Sequence, residues 1–345
     1  MLMAAVAVAS LVLAAAPFSA GFGPQERRRE VLNYVHTWRR ANSTIYGQLA
    51  NASASAAQGS LSAVAVEAWT VEAGNLSIST FPTAAGADTV DAVLAWAVAQ
   101  PHLRAYAWLI NEADTGYIFN CTTASRLLTT PANTDAFVSG VAARMDAVAG
   151  SGGQRLAGLI LDLEPSSTGD AACTAELGMA YARVLHRLAR VLGAQGQSLL
   201  LYAEQWQYHG IHTYFDYDLD GLAASASGGA RGGTSGGGVV VGVTYDGQGN
   251  FTGGAALAAW QKRLDWLFDS AGAAVADPSF IAAGLSTDSV YTAADIAARV
   301  SAIAASGVPT IHVFTDYVPE SWGAPLKDFL AGGRASGGGS EGIRI

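Results

Sequence analysis

Leu156-Ala157-Gly158-Leu159-Ile160-Leu161-Asp162-Leu163-Glu164 is an apolar run that ends abruptly in two carboxylates followed by Pro165. Both alternating rows of the run are hydrophobic. A strand with this character is buried on both faces, as parallel strands are when helices cover the sheet. Successive side chains on a strand point to opposite faces, so Asp162 and Glu164 share one face, about 7 Å apart. Two carboxylates held that close in a partly apolar place repel, and one of them is pushed toward its protonated form. A carboxyl protonated near neutral pH can protonate a leaving glycosidic oxygen. The plainer use of such a pair is to cap the next helix or to pair with an arginine.

The rhythm of the rest of the chain gives this strand its context. Strands are expected at 31–38, 61–71, 103–111, 156–164, 198–204, 239–246, 280–286 and 309–315. Helical patterns are expected at 45–57, 88–100, 133–149, 174–193, 255–271 and 293–306. In the helix at 174–193, Leu177, Tyr181, Leu185, Leu188 and Leu192 fall on one face. Eight strands alternating with helices predict an α/β chain folded as a (β/α)8 TIM barrel. The competing architecture is a doubly wound open sheet, whose Gly-X-Gly-X-X-Gly turn does not follow any of these strands.

In such a barrel, reacting groups stand at the carboxyl ends of the strands. The polar and aromatic residues found there are Glu67 and Trp69, Asn111 and Glu112, Glu204 and Trp206, and Asp316 and Tyr317. Tryptophan faces suit stacking on sugar rings, and carboxylates and amides suit hydroxyl recognition. Glu67, Trp69, Asn111, Glu204, Trp206 and Asp316 are therefore candidate substrate-binding residues. Each could equally be ordinary packing or a solvated loop residue.

Residues 157–164 resemble the signature strand of glycoside hydrolase family 18, the chitinases and chitobiases, whose pattern is Asp-X-X-Asp-X-Asp-X-Glu. Glu164 matches the general acid/base. Asp162 matches the aspartate that orients the substrate's N-acetyl group, whose oxygen is the internal nucleophile. Val243-Thr244-Tyr245-Asp246 is similar to the family's Met-X-Tyr-Asp, two strands further on. The resemblance implies that Tyr245 stabilises the reacting acetamido group and that Asp246 supports the sugar. It also implies a (β/α)8 fold, retaining hydrolysis, no cofactor and an oligosaccharide or polysaccharide substrate. The chain departs from the family at Ala157 and Ile160, which stand where the first two signature aspartates would be. Ile160 lies on the face of Asp162, one layer deeper, so Asp162 lacks the carboxylate with which the family's aspartate shares a proton. The family's Ser-X-Gly-Gly on strand three is replaced by residues 106–112, and strand eight, at 311–316, carries no tryptophan.

Three readings stay open. The first is a substrate-assisted hydrolase built on Glu164, Asp162 and Tyr245. The second is a chitinase-like carbohydrate-binding protein with little or no catalysis. The third is a barrel glycosidase in which Glu164 pairs with Glu204 or Glu67 by the conventional two-carboxylate route, which requires carboxyls about 5 Å apart.

The rest of the chain bears on setting. Half of the 345 residues are hydrophobic and 14% are charged, which allows a large core. The net charge is −9 and the one basic run, Arg27-Arg28-Arg29, has no aromatic companions, so nucleic acid is not an expected partner. The apolar run from Leu2 to Ala16 reads as a signal-peptide core, with residues 1–20 removed. A buried helix or an anchor is the alternative, although the run is short for a bilayer span. Sequons at Asn42, Asn51, Asn75, Asn120 and Asn250 fall near expected loops or element ends and suit a glycosylated surface. Cys121 and Cys173, both in expected loops, are the only cysteines and could form one disulfide or remain two thiols. The expected setting is secreted or lumenal of the secretory pathway, with a lysosome- or vacuole-like compartment as one option, and the protein is expected to be a monomer without stable membrane insertion. His209 and His212 lack a carboxylate-rich helix around them, so no metal is expected. A Gly/Ser-rich loop at 223–238 and a tail at 332–345 flank or interrupt a single barrel domain at 25–331.

Overall fold

The structure is a computed structural model that describes residues 29–332, except 73, 85, 87, 112–119, 149–152, 164–174, 205–237, 243–256, 259, 263, 265–280 and 287–290. In chain order the elements are β1 (Glu30–Val35), α1 (Asn42–Ala57), β2 (Ala63–Val71), β3 (Ile78–Thr80), α2 (Val90–Val98), β4 (Arg104–Asn111), α3 (Cys121–Thr129), α4 (Pro131–Ala147), β5 (Gly158–Leu163), α5 (Ala175–Ala194), β6 (Ser198–Glu204), β7 (Gly238–Gly242), β8 (Ile281–Ser286), α6 (Ala293–Ala305), β9 (Thr310–Phe314) and α7 (Gly323–Leu330). Residues 257, 258, 260–262 and 264 also lie on helical backbone, with Trp260 and Leu264 buried.

Strand pairing decides the architecture. The order β1-β9-β8-β7-β6-β5-β4-β2 is parallel throughout, and β1 also pairs with β2 in parallel, at Leu32 with Ala63 and Tyr34 with Ala65. The parallel sheet thus curls until its two ends meet, and eight strands form a ring. The ring and the helices around it are compatible with a (β/α)8 barrel. The connection 205–237 lies outside the described residues. Every residue of β1, β2 and β5 is buried, because side chains fill the ring on one face and helices cover the other.

Local chemistry sets the helix starts. The Thr89 hydroxyl accepts from the Ala92 N–H at the start of α2. Thr292 and Asp295 form a reciprocal capping box on α6. Gly158 is required by close approach rather than by a turn. A Cβ there would stand 2.3 Å from the Ser198 carbonyl oxygen on β6, closer than any side chain tolerates.

Some features depart from the sequence reading. β3 folds back antiparallel on β2, pairing Trp69 with Thr80 through Val71 with Ile78, outside the ring. The run at 78–80 is too short to register as a strand by pattern. Helices α3 and α7 are also additional. Cys121 is not in a loop: it is the first residue of α3, fully buried, behind an N-cap in which Asn120 Oδ1 accepts from Thr123 N at 2.8 Å. The described residues contain no free cysteine, and Cys173 lies outside them.

The sequons separate likewise. Asn75 is exposed in the turn between β2 and β3. Asn51 is not at an element end but inside α1, where its Oδ1 accepts from Val318 N at 2.9 Å. That bond ties α1 to the segment after β9. Asn42 opens α1 and accepts from Asp88 N, and Asn250 lies outside the described residues, as do residues 1–28 and the tail from 333. Among the described residues, no helix is long and apolar enough to cross a membrane.

Candidate functional site

The ring places one row of each strand in its interior. At the amino-terminal end that interior is closed by a charged cluster. Glu30 on β1 receives Arg104 Nη1 at 2.6 Å and the Tyr106 hydroxyl at 3.1 Å, both from β4. β1 and β4 are not neighbours in the ring, so these contacts cross its inside. Burial, followed by the nearby Glu30 carboxylate, pushes the Tyr106 hydroxyl well above its ordinary range. This end is a plug, and the chemistry belongs at the other.

At the carboxyl end four strands bring polar groups together. Asp162 on β5 is fully buried, and the Trp108 indole Nε1 on β4 donates to its Oδ2 at 3.1 Å. Register explains the geometry. Trp108 pairs with Ile160, and Asp162 pairs with Ile110, so the indole reaches diagonally up to the next layer of β5. Ile160 is itself fully buried, and its register with Trp108 places it on the inward row beneath Asp162.

Tyr34 on β1 stands edge-on to Trp108, with ring centroids 4.8 Å apart. Its hydroxyl lies 2.8 Å from Nδ1 of His312 on β9. Burial raises the Tyr34 hydroxyl well above its ordinary range, and the Asp162 carboxylate raises it further. Burial lowers the His312 ring to about 3, so it is neutral at ordinary pH. His312 Nε2 has no hydrogen-bond partner among the described residues. His36, one layer above Tyr34, packs edge-on against Trp108 at 5.7 Å and Phe314 at 4.9 Å. Its ring is shifted down by burial. Glu67 and Asp316 oppose that shift, and Arg40 adds to it. Sequence reasoning missed Tyr34, His36, Trp108 and His312 as site residues. Their alternation on β1, β4 and β9 with the polar strand ends was the available signal.

The expected substrate-binding residues have distinct fates. Glu67 faces inward, in register with Trp108, but its Oε2 accepts from the backbone N–H groups of Thr37 and Trp38, each at 2.7 Å. That oxygen holds the chain as it leaves β1. Trp69 does not share the face of Glu67. A register shift between them pairs Trp69 with Leu109, the neighbour of Trp108 on the opposite face. The bulge thus turns Trp69 out of the ring, under β3, where it is fully buried. Both ends of the Asn111 amide are engaged with Val71: Oδ1 accepts from its N–H at 2.8 Å, and Nδ2 donates to its carbonyl at 2.9 Å. Asp316 follows β9 with its carboxylate 40% exposed and 3.7 Å from Arg40. Glu164, Tyr245, Asp246, Trp206 and the Glu204 side chain lie outside the described residues, although the Glu204 backbone pairs with Gly242. No cluster of three or more potential metal ligands occurs among the described residues.

No protein-family model and no curated protein matches the chain. Solved structures do. A chitinase from Chromobacterium violaceum superposes with a TM-score of 0.60 at 15% identity, over 88% of this chain and 99% of that one. The spore cortex-lytic enzyme SleL of Bacillus megaterium gives 0.62 at 12% identity, over 89% and 75%. Catalytic domain 2 of the Ostrinia furnacalis Group II chitinase gives 0.62 at 10%, over 89% and 97%. At such identities the likeness is one of fold alone, and it agrees with the ring of eight parallel strands.

Proposed function

We propose that the protein is a glycoside hydrolase that cleaves β-linked N-acetylhexosamine glycans by substrate-assisted retaining hydrolysis. The observation that carries this reading is the fully buried carboxylate of Asp162 on the inner row of β5, at the end of the ring where barrel chemistry occurs. Glu164 follows it by two residues, as the acid must. The likeness of fold to chitinases supports the same choice, and another Ostrinia furnacalis structure of that fold was solved with a chitooligosaccharide.

In this mechanism Glu164 protonates the leaving glycosidic oxygen. The substrate's acetamido oxygen attacks the anomeric carbon from the other face. Asp162 orients the acetamido N–H, and Tyr245 stabilises the cyclic intermediate. Glu164 then removes a proton from the water that opens that intermediate, which returns the anomeric configuration to its starting hand. The two-carboxylate route through Glu67 is disfavoured, because its Oε2 is bound by two backbone N–H groups. Ile160 supports a second reading, a carbohydrate-binding protein with weak turnover, since it puts a hydrocarbon where a proton-sharing carboxylate would assist Asp162.

The same proposal has the chain exported as a monomer with residues 1–20 removed, Cys121 paired with Cys173, and glycans on exposed sequons such as Asn75. The expected compartment is extracellular or lumenal.

The deciding experiment compares fully N-acetylated with de-N-acetylated oligosaccharides, using the parent and Glu164→Gln. Only the acetylated series supplies the internal nucleophile. The parent should cleave that series alone, and Glu164→Gln should lose about 10²- to 10⁴-fold in kcat with the fold intact. Equal turnover in the variant removes Glu164 from the mechanism. Binding without turnover by the parent selects the second reading.

A further inference from the structure

Ile160, beneath Asp162 on the same inner row, offers no polar atom, so whatever orients the carboxylate must come partly from another strand. The described donor is the indole of Trp108, 3.1 Å away and on β4. That ring is immobilised. It is 1% exposed and is met edge-on by Tyr34 at 4.8 Å, His36 at 5.7 Å and Phe314 at 5.9 Å. An indole filling space alone could aim its nitrogen in any direction, whereas this one aims it at the buried carboxylate of Asp162.

We propose that Trp108 is a positioning residue for Asp162, its N–H fixing the carboxylate as the acceptor that the substrate's acetamido N–H requires. This inference rests on the reading of Asp162 as the acetamido-orienting group. An indole nitrogen donates and cannot accept, so it bonds well only to a carboxyl oxygen that is itself an acceptor. The contact favours the ionised carboxyl over the protonated one. The other groups facing Asp162 are Tyr34 from β1, with His312 of β9 behind it. Tyr202 on β6 follows the register pair Leu161 and Leu201. Glu67 and His36 lie in the layer of Trp108. Among these groups the Trp108 N–H is a donor only, and it lies 3.1 Å from Asp162 Oδ2.

The test replaces Trp108 with benzothienylalanine, which keeps the bicyclic shape and loses only the N–H, beside a conventional Trp108→Phe. Two readouts are needed. The first is kcat and KM against pH on N-acetylated chitotetraose. Loss of a hydrogen bond to a charged group lowers kcat about tenfold or more. KM should change little, and the acid limb of the kcat profile should move up by about one pH unit. The second is a thermal double-mutant cycle with Asp162→Asn, which reads the coupling between the two residues whether or not the protein turns over.

Coupling in the cycle together with the kcat loss supports the proposal. An isostere with the parent's kcat and pH profile overturns it, as does a cycle that is additive. If the parent shows no turnover but the cycle shows coupling, the hydrolase reading has failed and the Trp108–Asp162 clamp stands. If the parent turns over and the cycle is additive, the reverse holds.

Discussion

Acidification should weaken the fold through His312, and the size of the effect follows from its surroundings. The ring is 2% exposed inside the barrel, and burial lowers it from 6.5 to about 3. Between those values the unfolded chain binds a proton at His312 and the folded chain does not. Stability therefore rises with pH through this window and falls as pH drops below 6.5. Each pH unit corresponds to about 1.4 kcal/mol for one proton. From pH 6.5 to 4.5 the contribution is about 2 kcal/mol, a sizeable part of the 5–15 kcal/mol typical of a domain. His36 is lowered by burial as well, and carboxylates titrate nearby, so the parent's curve alone does not isolate His312. The comparison needed is with His312→Gln, which stays neutral and can still face the Tyr34 hydroxyl. Urea unfolding followed by tryptophan fluorescence at half-unit steps from pH 7 to 4.5 gives both curves. The parent should lose about 2–3 kcal/mol more than the variant over that range. Parallel curves would falsify the claim that His312 is held neutral in the fold.

Other expectations concern single contacts. Glu67→Ala leaves the Thr37 and Trp38 N–H groups without their carboxylate and should cost about 2–4 kcal/mol in chemical unfolding. Glu67→Gln keeps an oxygen for them and should retain turnover within a few-fold, while complete loss of activity in a folded variant would restore Glu67 as a nucleophile. Gly158→Ala places a Cβ against the Ser198 carbonyl and should lower stability by about 3 kcal/mol or more, so an unchanged Tm would contradict the close approach of β5 and β6. Trp69→Phe should leave chitooligosaccharide affinity unchanged by calorimetry, since the bulge turns this residue out of the ring, and a tenfold loss would return Trp69 to the site.

The strands and most helices were readable because each announces itself over a short span. Residues 158–161 are apolar on both rows, and the expected ends of α5 and α6 fall within a residue of those observed. The Asp162 position was readable for the same reason, since a charge at the end of an apolar strand breaks a local pattern. The bulge between Glu67 and Trp69 was not readable, because strict alternation puts two residues at this spacing on one face. Nor was the use of Asn111 on Val71, or of Asn51 on Val318, since an amide's partner is chosen by whatever backbone folding brings beside it.

The amino-acid sequence by itself determined that eight buried strands alternate with helices and that carboxylates end the central one. Both follow from side-chain periodicity and from the cost of burying charge, which act within a few residues. Only the tertiary structure decided what Asp162 meets. Trp108 is 54 residues from it, and Tyr34 and His312 stand 278 residues apart in the chain, yet their side chains converge within hydrogen-bonding distance. That meeting depends on the closure of β1 against both β2 and β9 and on the stagger of neighbouring strands. A periodic pattern specifies which face a residue takes, whereas ring closure and stagger set which faces share one layer.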